Sequence, residues 1–442
     1  MMILTTSKRI SRFFWLLLLI CPPLAAKDLV TIYGLALKED AELQIAEADY
    51  LSAIENVPLA RADARPQVFF NAEAEAQESD ISGFGTSDSD RVGYSVDLTQ
   101  SIYNTDTRAS INAAEARASA ALADLRAARE GLILRVAEAY FTVLAAGDEV
   151  EFAYAERNAI DRQLEQAQKR FEVGLIAITD VHEAQARFDT AQASVILAEN
   201  LLETAYQQLA VITGDATIRD LNILSEDLAL VLPEPANAEA WVGHAIINNR
   251  ALIAAQENLK AARFEREGAD KNRNPTLDFT ASYADVDSND DFRGDVDSED
   301  ITVGIQLEIP LYAGGSISAE RSQAEANFRS AQNNVLLQNR LAAQDARTSY
   351  LDVVSGISQV KAFDQALEST ETALEATQAG YDVGTRTSVD VLISLQETYR
   401  AQRDYARSRY DYVLSTLRLR QAAGVLGDDH LFEINRWLIE RQ

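Results

Sequence analysis

Two stretches of this chain, Phe171–Asp180 (FEVGLIAITD) and Tyr381–Asp390 (YDVGTRTSVD), follow one plan 210 residues apart. Val173-Gly174 matches Val383-Gly384, and Asp180-Val181 matches Asp390-Val391. Each stretch lies in a break between two long helix-patterned runs. Glycine reaches φ > 0 at little cost, and the Thr-Asp or Ser-Val-Asp that follows can cap a new helix. The chain is therefore expected to fold as two copies of one helical hairpin, with tips of nearly the same sequence.

The repetition extends well beyond the tips. Arg65-Pro66 matches Asn274-Pro275, Tyr103 matches Tyr312, Tyr140 matches Tyr350, and Gly214 matches Gly424. Prolines fall at 22, 23, 58, 66, 233, 235, 275 and 310, so two alanine-rich tracts, 67–232 and 311–442, contain none. Tracts of that kind read as long helices. Each half has a helix, a proline, two alternating segments around a polar loop, a very long helix, a tip and a shorter helix. The first repeat is assigned to 27–232 and the second to 233–442, joined near Pro233-Glu234-Pro235.

From Leu125, alternate steps of four and three reach Leu132, Val136, Ala139, Val143, Ala153, Ile160, Leu164 and Ala167. The return run gives Val181, Ala184, Phe188, Ala191, Val195, Ala198, Leu202, Ala205 and Leu209. A seven-residue repeat held this long predicts coiled coils, with long helices over 104–213 and 315–423. Most such sequences are simply rods.

The alternating segments argue against a plain rod. Leu277, Phe279, Ala281 and Tyr283 alternate with polar residues, as do Ile301, Val303, Ile305 and Leu307. Val68, Phe70, Ala72 and Ala74, then Val92, Tyr94, Val96 and Leu98, do so in the first half. Segments of about ten residues with one apolar side fit membrane barrel strands, in hairpins over 67–103 and 275–311. Soluble hairpins packed on helices are the alternative. Four strands cannot close a barrel, which needs about eight or more, so two, three or four subunits would have to pool theirs.

The first 26 residues read as a secretory signal: basic Lys8, Arg9 and Arg12, an apolar core over Phe13–Cys21, and small residues before a cut after Ala26. Cys21 also raises a lipoprotein reading, which Ile20 disfavours because a small residue is wanted before that cysteine. The cut would remove the only cysteine and take the formal net charge from −29 by three to −32. Such a charge excludes nucleic acid as a partner and suits a solvated periplasmic surface or a cation-preferring passage.

Enzyme chemistry finds no footing. The three histidines, His182, His244 and His430, make no ligand pair at helical spacing, and no phosphate-cradling loop or nucleophile elbow occurs. No catalytic residue, metal or cofactor is assigned. Asp285–Asp300 resembles a calcium loop only loosely: Asp290 replaces the glycine and Val296 the bidentate glutamate, so a solvated outer loop is expected.

The ordered motifs LTQSIYN (98–104), AYFTVL (139–144), RFEVGLIAITDV (170–181), ITG (212–214), PTLDFTAS (275–282), IPLYAGG (309–315) and GYDVGTRTSVDVL (380–392) resemble the TolC family of outer-membrane efflux and secretion channels. The resemblance covers nearly all of the chain after the signal. It implies a mainly α fold with four membrane β-strands per chain, and a homotrimer closing a twelve-stranded barrel in the outer membrane of a Gram-negative bacterium. A helical tunnel would extend into the periplasm, with segments around 215–240 and 425–442 forming a belt. The implied function is a passive exit duct of a tripartite efflux pump or type I secretion system. Its partners would be outer-membrane lipid, a periplasmic adaptor and an inner-membrane transporter, proton-driven (RND) or ATP-driven (ABC). A pore-free periplasmic coiled-coil scaffold is the competing reading.

The resemblance also implies a gate. Tyr381 and Arg386 would hold the periplasmic mouth shut, with Thr179 and Asp180 as their partners. Asp390 would form a carboxylate ring whose like charges raise its apparent pKa. A second acidic ring one turn on is replaced by Ile393, which implies a more apolar constriction and weaker cation block. Val173, Gly174 and Leu175, with Val383, Gly384 and Thr385, would form the adaptor-contacting tips.

Overall fold

A computed structural model describes residues 27–83, 85–290 and 294–440. The expected signal at 1–26, with Cys21, lies outside the described residues. Two short helices open the first half, α1 (Leu29–Glu39) and α2 (Ala41–Ala62). Asp40 ends one and starts the other, its Oδ1 accepting the Leu43 amide at 2.7 Å. Strands β1 (Gln67–Ile81) and β2 (Gly85–Tyr103) follow, then α3 (Thr105–Glu172) and α4 (Ile178–Thr213). A short strand, β3 (Ile223–Leu224), leads to the second half.

There α5 (Ala238–Asn248) and α6 (Arg250–Lys271) meet at Asn249, which caps α6 through the Leu252 amide at 3.1 Å. Asn249 thus repeats the work of Asp40. Strands β4 (Thr276–Asp290) and β5 (Gly294–Glu308) precede α7 (Ser316–Asp382) and α8 (Ser388–Ala422). Helix α9 (Asp428–Asn435) and strand β6 (Leu438–Ile439) end the chain's described part.

Helix α3 is the spine. Its 68 residues span about 100 Å at 1.5 Å per residue. It packs on α2 and α6 towards the strands, and on α4 and α8 towards the tips. The heptad seam is buried as the spacing predicts: Leu132, Val136, Val143, Ala153, Ile160, Leu164 and Ala167 on α3 with Ala184, Ala191, Val195 and Ala198 on α4. Alanine lets the backbones close in, as where Ala153 meets Val195 and Ala198. Near the middle of α3, Tyr140 and Phe141 join a large core with α1, α8 and α9. There β3 pairs antiparallel with β6, so the two expected belt segments meet.

Helix α7 is different. It buries Ala342, Ala346, Val353, Ile357 and Val360 but leaves Leu336, Leu337, Leu341 and Leu351 exposed. Helix α3 packs on α2, α4, α6 and α8, whereas α7 packs on α5, α6 and α8. In the first half, α4 exposes Ile196, Leu197, Leu201 and Val211.

The strands form one antiparallel sheet in the order β1-β2-β4-β5, so the two halves join through β2 and β4. Opposed residues share a face of a sheet. One face carries the rows Val68-Leu98-Ala281-Val303 and Phe70-Val96-Tyr283-Ile301. Its neighbouring face carries Phe69-Asp97-Ser282-Thr302.

The supposed polar loops prove to be mostly strand. Ladder pairing continues through Asp80↔Thr86 in the first hairpin and Asn289↔Asp295 in the second. Alternation could not show this, because a hairpin projecting into water can be polar on both faces. Residues 291–293 of the acidic stretch lie outside the described residues. The ladder sets Asp285 opposite Glu299 and Asp287 opposite Asp297. Carboxylates on paired strands do not wrap an ion as a calcium loop does.

Candidate gate at the helical tips

Both tips end their long helix in the same way. Gly174 (φ +74°) and Gly384 (φ +82°) take the left-handed conformation that side chains rarely tolerate. The amides of Gly174 and Leu175 donate to the carbonyls of Phe171 and Arg170 at 2.8 and 2.9 Å. Those of Gly384 and Thr385 donate to Tyr381 and Gly380 at 3.1 and 2.8 Å. Paired bonds of this pattern around an αL glycine satisfy the last helical carbonyls and reverse the chain in few residues. Val173, Leu175 and Val383 stand exposed at the apex, about 70% or more of each in solvent.

The returning helices start differently, which corrects the expectation of side-chain caps at both. Ala177 precedes α4 and offers no side-chain cap; Thr179 Oγ1 instead lies 3.5 Å from Asp180 Oδ1. In the second tip Thr387, not Ser388, is the cap. Its hydroxyl accepts the Asp390 amide at 3.2 Å, while Asp390 Oδ2 accepts the Thr387 amide at 2.9 Å and its hydroxyl at 3.0 Å. This reciprocal box satisfies two otherwise unpaired groups.

The box bears on the charge of Asp390. The Thr387 amide, then its hydroxyl and nearby Arg386, hold this carboxyl below its ordinary range. Within one chain the shift is thus opposite to that expected of a like-charge ring. A depressed folded pKa stabilises above about pH 4, the unfolded value, and that contribution is lost as pH falls through the lowered pKa. Ile393 lies exposed one turn further along α8.

Tyr381 is 5% exposed at the end of α7. The Arg170 guanidinium lies over its ring at 4.3 Å from the centroid, and Arg170 Nη2 is 4.0 Å from Asp382 Oδ1. Arg386 is exposed, with its backbone amide on the Gly380 carbonyl at 3.2 Å. Among the described residues, no hydrogen bond or ion pair joins Tyr381 or Arg386 to Thr179 or Asp180 within one chain.

Other polar ties bind the two hairpins together along their length. Gln163 Nε2 donates to Gln378 Oε1 at 3.2 Å, and Arg187 Nη1 to Gln396 Oε1 at 3.0 Å. Further from the tip Arg403 reaches Glu156 at 3.1 Å and Glu149 at 3.6 Å, and Tyr410 donates to Asp148 at 2.6 Å. Burial pushes the Glu149 carboxyl up, with Arg403 opposing. Sequence reasoning missed Arg170 and Arg403. Their signal, a cation on a helix face, is too common to single them out.

Comparison with known proteins completes the case. The family described as outer membrane efflux protein matches residues 32–215 and 241–425. The outer membrane protein TolC of Vibrio cholerae is 37% identical over 416 residues, covering 93% of this chain and 94% of that protein. TolC of Escherichia coli is 33% identical over 425 residues, covering 93% and 85%. In fold, the Campylobacter jejuni CmeC outer membrane channel superposes with a TM-score of 0.77 at 17% identity, covering 94% of this chain and 90% of that one. Matched in two long segments and over most of its length, the chain belongs to the outer membrane efflux protein family, as an outer-membrane exit duct for efflux or type I secretion.

Proposed function

We propose that three copies of this chain close a twelve-stranded barrel and a helical tunnel, gated at the periplasmic tips. The observation that carries this reading is the open sheet. Among the described residues β1 and β5 each pair along one edge only, and the sheet's apolar face lies uncovered. A bilayer leaves no unpaired edge stable, so the β5 edge of one chain would pair with the β1 edge of the next. Three chains supply twelve strands, within the range of known barrels. The exposed leucines of α7 would meet the exposed α4 face of the neighbour in the same closure. The TolC relatives support this duct, and two further relatives named as secretion proteins, PrtF of Dickeya chrysanthemi (26% identical over 421 residues) and AprF of Pseudomonas aeruginosa (28% over 423), support a role beside an adaptor and an inner-membrane transporter. Energy for transport would come from that transporter.

In the gate, Tyr381 and Arg386 of one subunit would face Thr179 and Asp180 of another. Arginine offers a planar fork of donors suited to a carboxylate, and such bonds hold a mouth reversibly. Single-channel conductance in planar bilayers tests this directly. Arg386→Ala should raise the open fraction about tenfold or more, since bonds to charged groups contribute about 1.5–3 kcal/mol. A conducting trimer unchanged by the substitution would keep the pore and reject these gate residues.

The carboxylate ring has its own test. Asp390→Asn keeps an oxygen for the Thr387 box while removing the charge, so it separates capping from cation binding. Block by a trivalent cation should weaken about tenfold in this variant, with the trimer still assembling. Ile393→Asp should strengthen block by adding a second ring. Block as tight after Asp390→Asn as before would place the cation site elsewhere.

A further inference from the structure

The tip position just before the aromatic has diverged between the repeats: Arg170 in the first, Gly380 in the second. Each touches one of the two proposed gate holders. Arg170 covers the Tyr381 ring at 4.3 Å. Phe171, the counterpart of Tyr381, has glycine rather than arginine at the matching place and is 41% exposed, against 5% for Tyr381. Gly380 lies under Arg386. A Cβ added there would fall 2.8 Å from Arg386 Cγ and 3.2 Å from Thr385 Oγ1. The Gly380 carbonyl also accepts the amides of Thr385 and Arg386 and the Thr385 hydroxyl, at 2.8, 3.2 and 3.0 Å.

We propose that Arg170 and Gly380 are the positioning residues of the gate: Arg170 fixes the Tyr381 ring, and Gly380 leaves the space in which the Arg386 stem folds back along α7. The proposal rests on the gate reading above. A cation over an aromatic face is attracted by the ring's quadrupole, and the planar guanidinium suits that stacking better than an ammonium. Arg170 therefore ties the end of the first hairpin to the end of the second within one subunit. Gly380 acts by what it lacks. Alanine is favoured over glycine inside a helix, so Gly380→Ala should firm α7 while displacing Arg386. Those opposite effects separate a gating role from a merely structural one.

The test is the open fraction of single channels in planar bilayers, with heat-resistant trimer as the folding control. Arg170→Ala should raise the open fraction about two- to fivefold, and Arg170→Lys should recover part of the closure. Gly380→Ala should open the channel while the trimer stays at least as stable as wild type. In an Arg386→Ala background Gly380→Ala should add little, because the Cγ at 2.8 Å is gone and only the milder approach to Thr385 Oγ1 at 3.2 Å remains. If Arg386→Ala opens the channel but Arg170→Ala and Gly380→Ala do not, the positioning proposal is overturned and the gate stands. A Gly380→Ala effect undiminished without the Arg386 side chain overturns it equally. An unaltered Arg386→Ala channel rejects the gate reading itself.

Discussion

Tyr140→Ala is expected to cost each chain about 4 kcal/mol, whereas the same change at the repeat-equivalent Tyr350 costs about 1 kcal/mol. The two tyrosines occupy matching places in the two long helices, yet their surroundings differ. Tyr140 is fully buried and packs edge-on against Phe141, with ring centroids 5.6 Å apart. Its hydroxyl donates to the Asn222 carbonyl at 2.7 Å and lies 3.3 Å from that of Lys27. Truncation would open a cavity at the centre of the main core and strip a buried acceptor of its donor. Tyr350 lies at the edge of that core, partly in solvent. Denaturant unfolding of the purified protein reads the difference. Tyr140→Phe, which keeps the ring, should recover most of the loss and leave about 1–2 kcal/mol for the hydroxyl. Equal costs at Tyr140 and Tyr350 would mean that the equatorial core is not the centre of stability.

The second large effect concerns the sheet. Val303 stands on the apolar face, in the row with Val68, Leu98 and Ala281. Thr302, its neighbour, stands on the other face with Phe69, Asp97 and Ser282. In a barrel the apolar face meets lipid and the other meets the lumen. Val303→Arg should then cost about 2–4 kcal/mol per chain near the bilayer midplane, and every subunit contributes that cost. Thr302→Arg should assemble normally. Heat-resistant trimer recovered from outer membranes is the measurement. Recovery of both variants at wild-type levels, or loss of both, would remove the assignment of lipid and lumen faces.

These contrasts show what was legible in the chain and what was not. Tip glycines, heptad seams and alternating strands are local patterns, and the residues that carry them lie where the pattern predicts. Burial of a repeat depends on its neighbours, and neighbours differ even when sequences match. Nothing around Tyr350 announces that α7 leaves Leu336, Leu337, Leu341 and Leu351 in solvent. The acidic stretch after Asp285 read as a loop because both faces of that hairpin are polar, which erases the period-two signal. At the tips the residue types marked a turn and a cap, but not that Asp390 spends one oxygen on Thr387. Arg170 was invisible for a related reason: its partner, Tyr381, lies two hundred residues away and meets it only because α3 and α7 end together.

The pairing of β2 with β4 carries a consequence for the order in which the molecule can form. Tyr94 and Asp285, hydrogen-bonded across that seam at 2.9 Å, are separated by 191 residues. Closing so long a loop by strand pairing alone is entropically slow, although the cost grows only as the logarithm of loop length. The helices shorten the search. Strand β2 runs through Asn104 into α3, and α6 leads through a short turn at 272–275 into β4. Once α3 and α6 have packed, the ends of the two strands are delivered side by side in register. In the proposed barrel the packed helices would thus serve as a template for the strands, so that a sheet shared between chains need not begin until its helical base exists.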